Sequence, residues 1–381
     1  MLQPLANAQT MSTLKKLGFL SIYLLILLLN GVFILTNGQF TWTGVLFAYG
    51  LVPLVDVLIG KDKSNVAKED FERLMNDRFF DGIVYSVVYI HLVQLGLAAV
   101  AVLTYQMNLF QWIGYVLSLG IFGGTMINVA HELGHRSSKV AQFHAKLTLM
   151  TVCYLHFFIE HNRGHHVWVA TPQDPATARK GQSLYSFWWQ SVVGSFRSAW
   201  SIEKRLLEKA NVPVWSFSNN MIWSVVLPLV FCGVLVALGS VVIGRFAWEV
   251  IPFFFGQSIV AFLLLESVNY IEHYGIVRRE ITLGKYERVN PLHSWNANHL
   301  FSNLVLFQLQ RHSDHHAYAS RPYQVLRHFD ESPQLPFGYP LMILMATVPP
   351  LWFRVMDKRL EQWQANAYDV QSVSRLVRES N

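Results

Sequence analysis

The sequence predicts an all-α integral membrane protein, with six transmembrane helices carrying a histidine-rich cap on the cytoplasmic side. Three observations predict it. Hydrophobic residues fill 52% of the 381 positions and charged residues only 14%, with a mean hydropathy of +0.29, a balance foreign to water-soluble domains. Six apolar runs, at about 18–36, 43–60, 81–104, 110–130, 220–243 and 248–271, are long enough to cross a hydrocarbon core of roughly 30 Å. Lysine and arginine are absent from the 37–42 and 105–109 loops, and Arg245 alone occupies the 244–247 loop. The other 29 of the 30 lie before the first run, at 61–79, at 131–219 or in the C-terminal region. Because cations flanking a span stay on the cytoplasmic side, both termini are expected there.

Residues 1–17 are a polar lead without the small-residue cleavage pattern of a signal peptide, so the first apolar run reads as an uncleaved span. A charged connection, 61–79, follows the second run, and the fourth run leads directly into His131. A seventh run, about 145–160, is short and interrupted by Cys153, His156 and Glu160, which places it at the interface or against the bundle. The rest of 131–219 mixes helix-forming stretches with the breaker Thr171-Pro172-Gln173-Asp174-Pro175. Beyond Gly275, turns fall near Asn290-Pro291 and Ser332-Pro333, and the apolar stretch 337–356 is cut by Pro340, Pro349 and Pro350. Those prolines predict a segment lying flat on the membrane or on the domain rather than a seventh span. Residues 357–381 read as a polar helical tail. With no internal repeat or low-complexity tract, 1–381 reads as one membrane-embedded domain with a cap formed by 131–219 and 272–381. The net charge of +6 is then positive-inside and lipid-facing charge, not a nucleic-acid surface.

Nine histidines fall in short clusters on the predicted cytoplasmic side: His131/His135, His161/His165/His166, His273 and His312/His315/His316. Histidines four apart on a helix project from one face and can share an ion, as expected for His131/His135, His161/His165 and His312/His316. Adjacent histidines diverge by about 100° and can serve two different ions. Nine imidazoles exceed the needs of one zinc but suit two ions with four or five ligands each, and two irons with open positions for O2 is the economical reading. Glu132, Glu160, Asp174, Glu266, Glu272 and Asp314, with Asn269 and His299, are candidates to support the rings through hydrogen bonds. Glu266 stands out as a carboxylate inside an apolar run. His91, His144, His156, His293 and His328 lack the spacing and read as packing or hydrogen-bonded side chains. The only cysteines, Cys153 and Cys232, exclude a disulfide framework and an iron–sulfur site, so electrons must come from a separate protein.

The boxes His-Glu-Leu-Gly-His-Arg (131–136), Glu-His-Asn-Arg-Gly-His-His (160–166), Asn-Tyr-Ile-Glu-His-Tyr-Gly (269–275) and Leu-Gln-Arg-His-Ser-Asp-His-His (309–316) resemble the signatures of bacterial membrane-bound alkane 1-monooxygenases. These belong to the histidine-box di-iron oxygenase and desaturase superfamily. The likeness runs from about the second span to Pro350, and the asparagine–tyrosine box separates it from plain desaturases. The resemblance implies two non-haem irons held by all nine histidines, and O2-dependent terminal hydroxylation of medium- or long-chain n-alkanes in the bacterial inner membrane. It also implies electrons from a rubredoxin reduced by an NAD(P)H-dependent reductase. Arg278, Arg279 and Arg327 are candidates to receive such a donor. The alternatives are a related di-iron hydroxylase or desaturase acting on aromatic side chains or fatty acyl chains. More distant ones are an intramembrane zinc protease with Glu132 as base and a metal transporter.

Overall fold

The computed structural model describes residues 8–367, and they are overwhelmingly helical; the end of the predicted tail lies outside them. Five helices are long and apolar enough to cross a membrane: Thr13–Leu35, Arg78–Thr104, Leu109–Gly134, Asn220–Ile243 and Val250–His273. Their ends follow local chemistry. The Asp77 carboxylate accepts from Phe79 N–H at the start of Arg78–Thr104, and Asn108 and Gln111 form a reciprocal capping box before Leu109–Gly134. Asn219 caps Asn220–Ile243, which stops at Gly244 in the left-handed region (φ 69°), where glycine carries no steric penalty.

The Leu109–Gly134 helix is the central one: 89% of its most apolar window is buried, against 28% for Asn220–Ile243. It packs most extensively on Val250–His273. Glycine makes that approach possible, because a Cβ added at Gly120 would stand 2.9 Å from the Gln257 carbonyl oxygen. His131, one turn before the end of the first, and His273, the last residue of the second, are thereby carried to the same end of the pair, each into one of two neighbouring histidine groups.

The second predicted span, 43–60, departs from a regular helix. Thr43–Ile59 has 17 residues, about 25 Å at the α-helical rise and short of a full core, and it widens into a π-helical turn at Phe47–Leu51. Pro53 follows at once and has no N–H to donate into that turn, so the ladder opens to accommodate it. The chain nevertheless returns to the face from which it began. Ala8–Gln9 pairs with Asn65–Val66, and the Lys15 ammonium lies 2.6 Å from Asp62. On the opposite face the 36–42 turn meets the third hairpin, through Gln111 Nε2 donating to the Gln39 carbonyl (3.2 Å) and Ser118 Oγ donating to that of Thr41 (2.7 Å).

The apolar run at 145–160 lies against the bundle: Ala141, Ala145, Thr148 and Leu149 of the Lys139–Met150 helix are buried, before a turn leads to Phe157–Glu160. The 337–356 stretch packs on the domain. Tyr339–Ala346 and Pro349–Ala367 bury Tyr339, Met342, Trp352, Met356 and Leu360 in one cluster with Tyr270 and Tyr274. The departures from all-helical structure among the described residues are two two-stranded sheets, that at the N-terminus and a hairpin of Glu280–Thr282 with Lys285–Tyr286.

Candidate metal centre

All nine box histidines converge, and they divide into two groups. His131, His135, His161, His166 and His315 form one; His165, His273, His312 and His316 form the other. In each, one ring nitrogen per residue lies within 4.8 Å of all the others. The chain Nε2–Nε2 separations are 3.0 Å (His135–His161), 3.0 Å (His161–His166) and 3.2 Å (His166–His315) in the first group. In the second they are 3.2 Å (His273–His312) and 2.9 Å (His312–His316). Two nitrogens bound to one ion at about 2.1 Å and near a right angle stand about 3 Å apart, so these spacings fit shared metals. Buried His131 Nε2 and His165 Nε2 have no protein partner, as required of lone pairs kept for an ion.

Both adjacent doublets split between the groups, His165 from His166 and His315 from His316, as the divergence of neighbouring side chains predicts. The expected pairing of His161 with His165 is a correction. His161–His165 is a π-helical turn, whose longer repeat brings residues five apart onto one face. His161 therefore joins His166, and His165 crosses to the other group. His312 and His316, on a regular turn, stay together as expected.

Electrostatics keep most of these rings neutral, the form that binds metal. Burial, then the neighbouring rings, hold His161, His166, His312, His315 and His316 well below the usual imidazole range, and burial takes His135 down to about 3. His165 is the exception. Burial opposes its protonation, but the Asp174 carboxylate outweighs that and raises it. His165 Nδ1 donates to Asp174 Oδ2 (2.9 Å), which also accepts from the Thr177 hydroxyl (2.6 Å). This is a carboxylate fixing a ligand ring from behind. Asp174→Asn is expected to weaken metal retention in the four-ring group by about 10–100-fold, read as ion lost on dialysis against a chelator.

The other proposed supports mostly turn elsewhere. Glu272 lies beside the rings and not behind them: its Oε2 is 3.1 Å from His312 Nε2, while Oε1 accepts from the Tyr339 hydroxyl (2.7 Å). Glu132 pairs with Arg136 (3.1 Å), and Asp314 is held between Arg321 and Arg327 (2.6 and 2.9 Å). Glu266 accepts from Tyr154 (2.6 Å), from Ser191 and from Asn269 (3.1 Å), a buried network that satisfies both residues. Glu160 accepts from Ser198 (3.3 Å), and His299 precedes the Leu300–Val305 helix with Nδ1 unpartnered. Of these, Glu132, Glu160, Glu266, Asn269, His299 and Asp314 make no hydrogen bond to a box histidine among the described residues. His91 (Thr151, 2.9 Å) and His144 (Tyr89, 2.7 Å) are hydrogen-bonded as expected of side chains outside a metal site. Sequence reasoning missed Tyr339 and Thr177; only the Asp174-x-x-Thr177 spacing in a turn hinted at the latter.

Below the rings lies a narrow slot of about 70 Å³ between Leu109–Gly134, Val250–His273, Thr43–Ile59 and Tyr339–Ala346. Its walls are apolar, including Phe47, Ile121, Leu265 and Ile343. Its lining comes close in sequence to both histidine groups: Asn128 is one helical turn before His131, Leu309 three residues before His312 and Val268 shortly before His273. Three polar side chains of the wall donate internally, Asn128 to the Leu306 carbonyl (2.6 Å), Thr125 to that of Ile121 (3.1 Å) and Tyr339 to Glu272; the Tyr49 hydroxyl is the other polar group in the lining.

An open histidine-lined metal centre over an apolar intramembrane slot defines a membrane oxygenase or desaturase. In keeping with that class, residues 110–345 match the fatty acid desaturase family model. The chain is 41% identical to alkane 1-monooxygenase 2 of Alcanivorax borkumensis over 95% of both proteins. It is 43% identical to the alkane 1-monooxygenase of Pseudomonas putida, over 83% of this chain and 77% of that one. A more distant relative is the xylene/toluene monooxygenase hydroxylase component XylM of Pseudomonas putida, 28% identical over 86% of this chain and 84% of that one. The chain therefore belongs to the alkane 1-monooxygenase family, within the wider fatty acid desaturase family.

Proposed function

We propose that this protein hydroxylates the terminal methyl group of medium- or long-chain n-alkanes with O2, at two non-haem irons held by the nine box histidines. Electrons come from a separate rubredoxin, itself reduced by an NAD(P)H-dependent reductase. The observation that carries the reading is the slot, a largely apolar cleft whose lining lies only a few residues along the chain from two groups of converging imidazoles. The irons, when bound, supply O2 activation and transfer of one oxygen atom to the substrate.

The chain's own residues do the rest. An alkane offers nothing to hydrogen-bond, so shape and burial alone orient it. Each methylene removed from water contributes about 0.8 kcal/mol, and a narrow slot presents the chain end first. Asp174 fixes the His165 ring, and the Tyr339–Glu272 pair ties the slot wall to the four-ring group. The protease alternative loses its base, because Glu132 faces Arg136. We further propose six crossings of a bacterial inner membrane, with Thr43–Ile59 the shortest, both termini in the cytoplasm and the whole chain one domain. The cation distribution and the return of the chain to one face support that topology.

The test supplies purified, iron-loaded protein with rubredoxin, its reductase, NADH and O2, and compares octane and hexadecane with toluene and a fatty acyl substrate. The expected product is the 1-alkanol. Oxidation of the acyl or aromatic substrate with none of the alkane would overturn the assignment.

A further inference from the structure

Resting on the oxygenase reading, we infer that the electron donor docks on one patch of the cap, centred on the exposed Trp168 and rimmed by the Glu280–Tyr286 hairpin. The occupant is a small acidic one-electron carrier. Three observations lead there.

The first is proximity. His166 belongs to the five-ring group and is only partly buried, whereas the four rings of the other group are all buried. The next two residues, Val167 and Trp168, are 49% and 37% exposed. An apolar pair presented to solvent directly beyond a metal-binding ring is a short path from surface to centre.

The second is position. The segment begins level with Glu266, two turns inside the Val250–His273 helix, where Tyr154 donates to that carboxylate. By Trp168 it has climbed beside Arg278, beyond the helix end. The Arg278 N–H donates to the Ala170 carbonyl (2.7 Å) and its guanidinium to that of Val167 (3.1 Å). The exposed indole thus faces water, within reach of a soluble protein. Buried Arg278, with its guanidinium 6.0 Å from the Tyr286 ring centre, also ties the strip to the hairpin.

The third is composition. The hairpin presents Ile281 and Leu283, 60% and 100% exposed, next to the cations Arg279, Lys285 and Arg288. The neighbouring carboxylates are engaged within the hairpin region, Glu280 by Gly284 N–H (2.6 Å) and Glu287 by Arg279 N–H (2.8 Å) and His293. An aromatic anchor inside a cationic rim is the anatomy of a recognition surface, and the rim is complementary to an acidic carrier. Of the three arginines considered from sequence, Arg278 is a buried buttress and Arg327 is held by Asp314, while Arg279 stays exposed on the patch, 3.6 Å from Glu287, beside the cations Lys285 and Arg288. Two electrons cross per turnover, one at a time, oxidising two carrier molecules; with O2 and two protons they balance the C–H and O–O bonds broken, the C–O and O–H bonds of the alcohol formed and the second oxygen atom released as water.

The experiment measures steady-state kinetics with a bacterial rubredoxin, and direct binding of the same rubredoxin, for Trp168→Ala and for the double variant Lys285→Glu/Arg288→Glu. Single-turnover alcohol yield with dithionite normalises for folding and metal loading. The expected result is a rise of about tenfold or more in KM and Kd for rubredoxin, a kcat that recovers at high donor concentration, and a weaker salt dependence in the double variant. Lys204→Glu, near the end of the Leu184–Lys209 helix and outside the patch, should leave all of these values alone. Unchanged KM and Kd in both patch variants would overturn the inference. Wild-type protein that binds rubredoxin yet forms no alcohol would instead overturn the oxygenase reading and leave the patch standing.

Discussion

Replacing His312 with alanine should strip the metal from the four-ring group and lower alkane hydroxylation by well over 100-fold, beyond the 10–100-fold typical of groups that only support a ligand. His312 is the hub of that group. Its Nε2 lies 3.2 Å from His273, 2.9 Å from His316 and 3.1 Å from the Glu272 carboxylate. Its loss leaves those partners buried and converging on nothing, so the remaining rings no longer enclose an ion. Metal content by mass spectrometry should fall by about half while the five-ring group keeps its share, since no Nε2 contact within hydrogen-bond distance joins the two groups. His144→Ala, outside both groups, should leave metal content unchanged. Full metal and activity in His312→Ala would remove this histidine from the site.

Filling the slot should silence the enzyme while sparing the metal. Val268 lines the floor just before the His273 turn, and a phenylalanine there occupies space that a methyl end needs to reach the rings. Misplacing a reacting group by about 1 Å can cost roughly 10²-fold, so Val268→Phe should lower kcat/KM for alkanes by at least that factor. The expected overpacking cost of about 1–3 kcal/mol would lower the Tm modestly. Metal content should match wild type, which separates a blocked approach from a damaged centre. Normal octane turnover in a correctly folded Val268→Phe protein would show that substrate comes by another route.

Much of this site was legible in the sequence because its ligands come in short local boxes. Spacing on a helix told which neighbouring histidines must diverge, and His165/His166 and His315/His316 do. The failure at His161/His165 has a definite cause: a π-helical turn changes the repeat, and nothing in Glu-His-Asn-Arg-Gly-His-His announces one. The supporting carboxylates were harder to read. Proximity in sequence to a histidine does not fix which way a carboxylate turns, and Glu132, Asp314 and Glu266 found partners in Arg136, in Arg321 with Arg327, and in Tyr154 with Ser191, all set by tertiary packing. The apolar runs located the spans, since burial of an entire helix leaves a continuous signal. The same signal overstated the regularity of Thr43–Ile59, where Pro53 and a widened turn interrupt the ladder. The slot was invisible, because its walls come from six separate segments.

The central claim is that the nine imidazoles hold two irons, five rings around one and four around the other. Iron quantification combined with X-ray absorption on the purified protein addresses it most directly. The account predicts about two irons per chain, each surrounded by nitrogen ligands at about 2.1 Å, with one of the two lost when the four-ring group is dismantled. A single redox-inert zinc per chain, or iron bound mainly by oxygen, would contradict it.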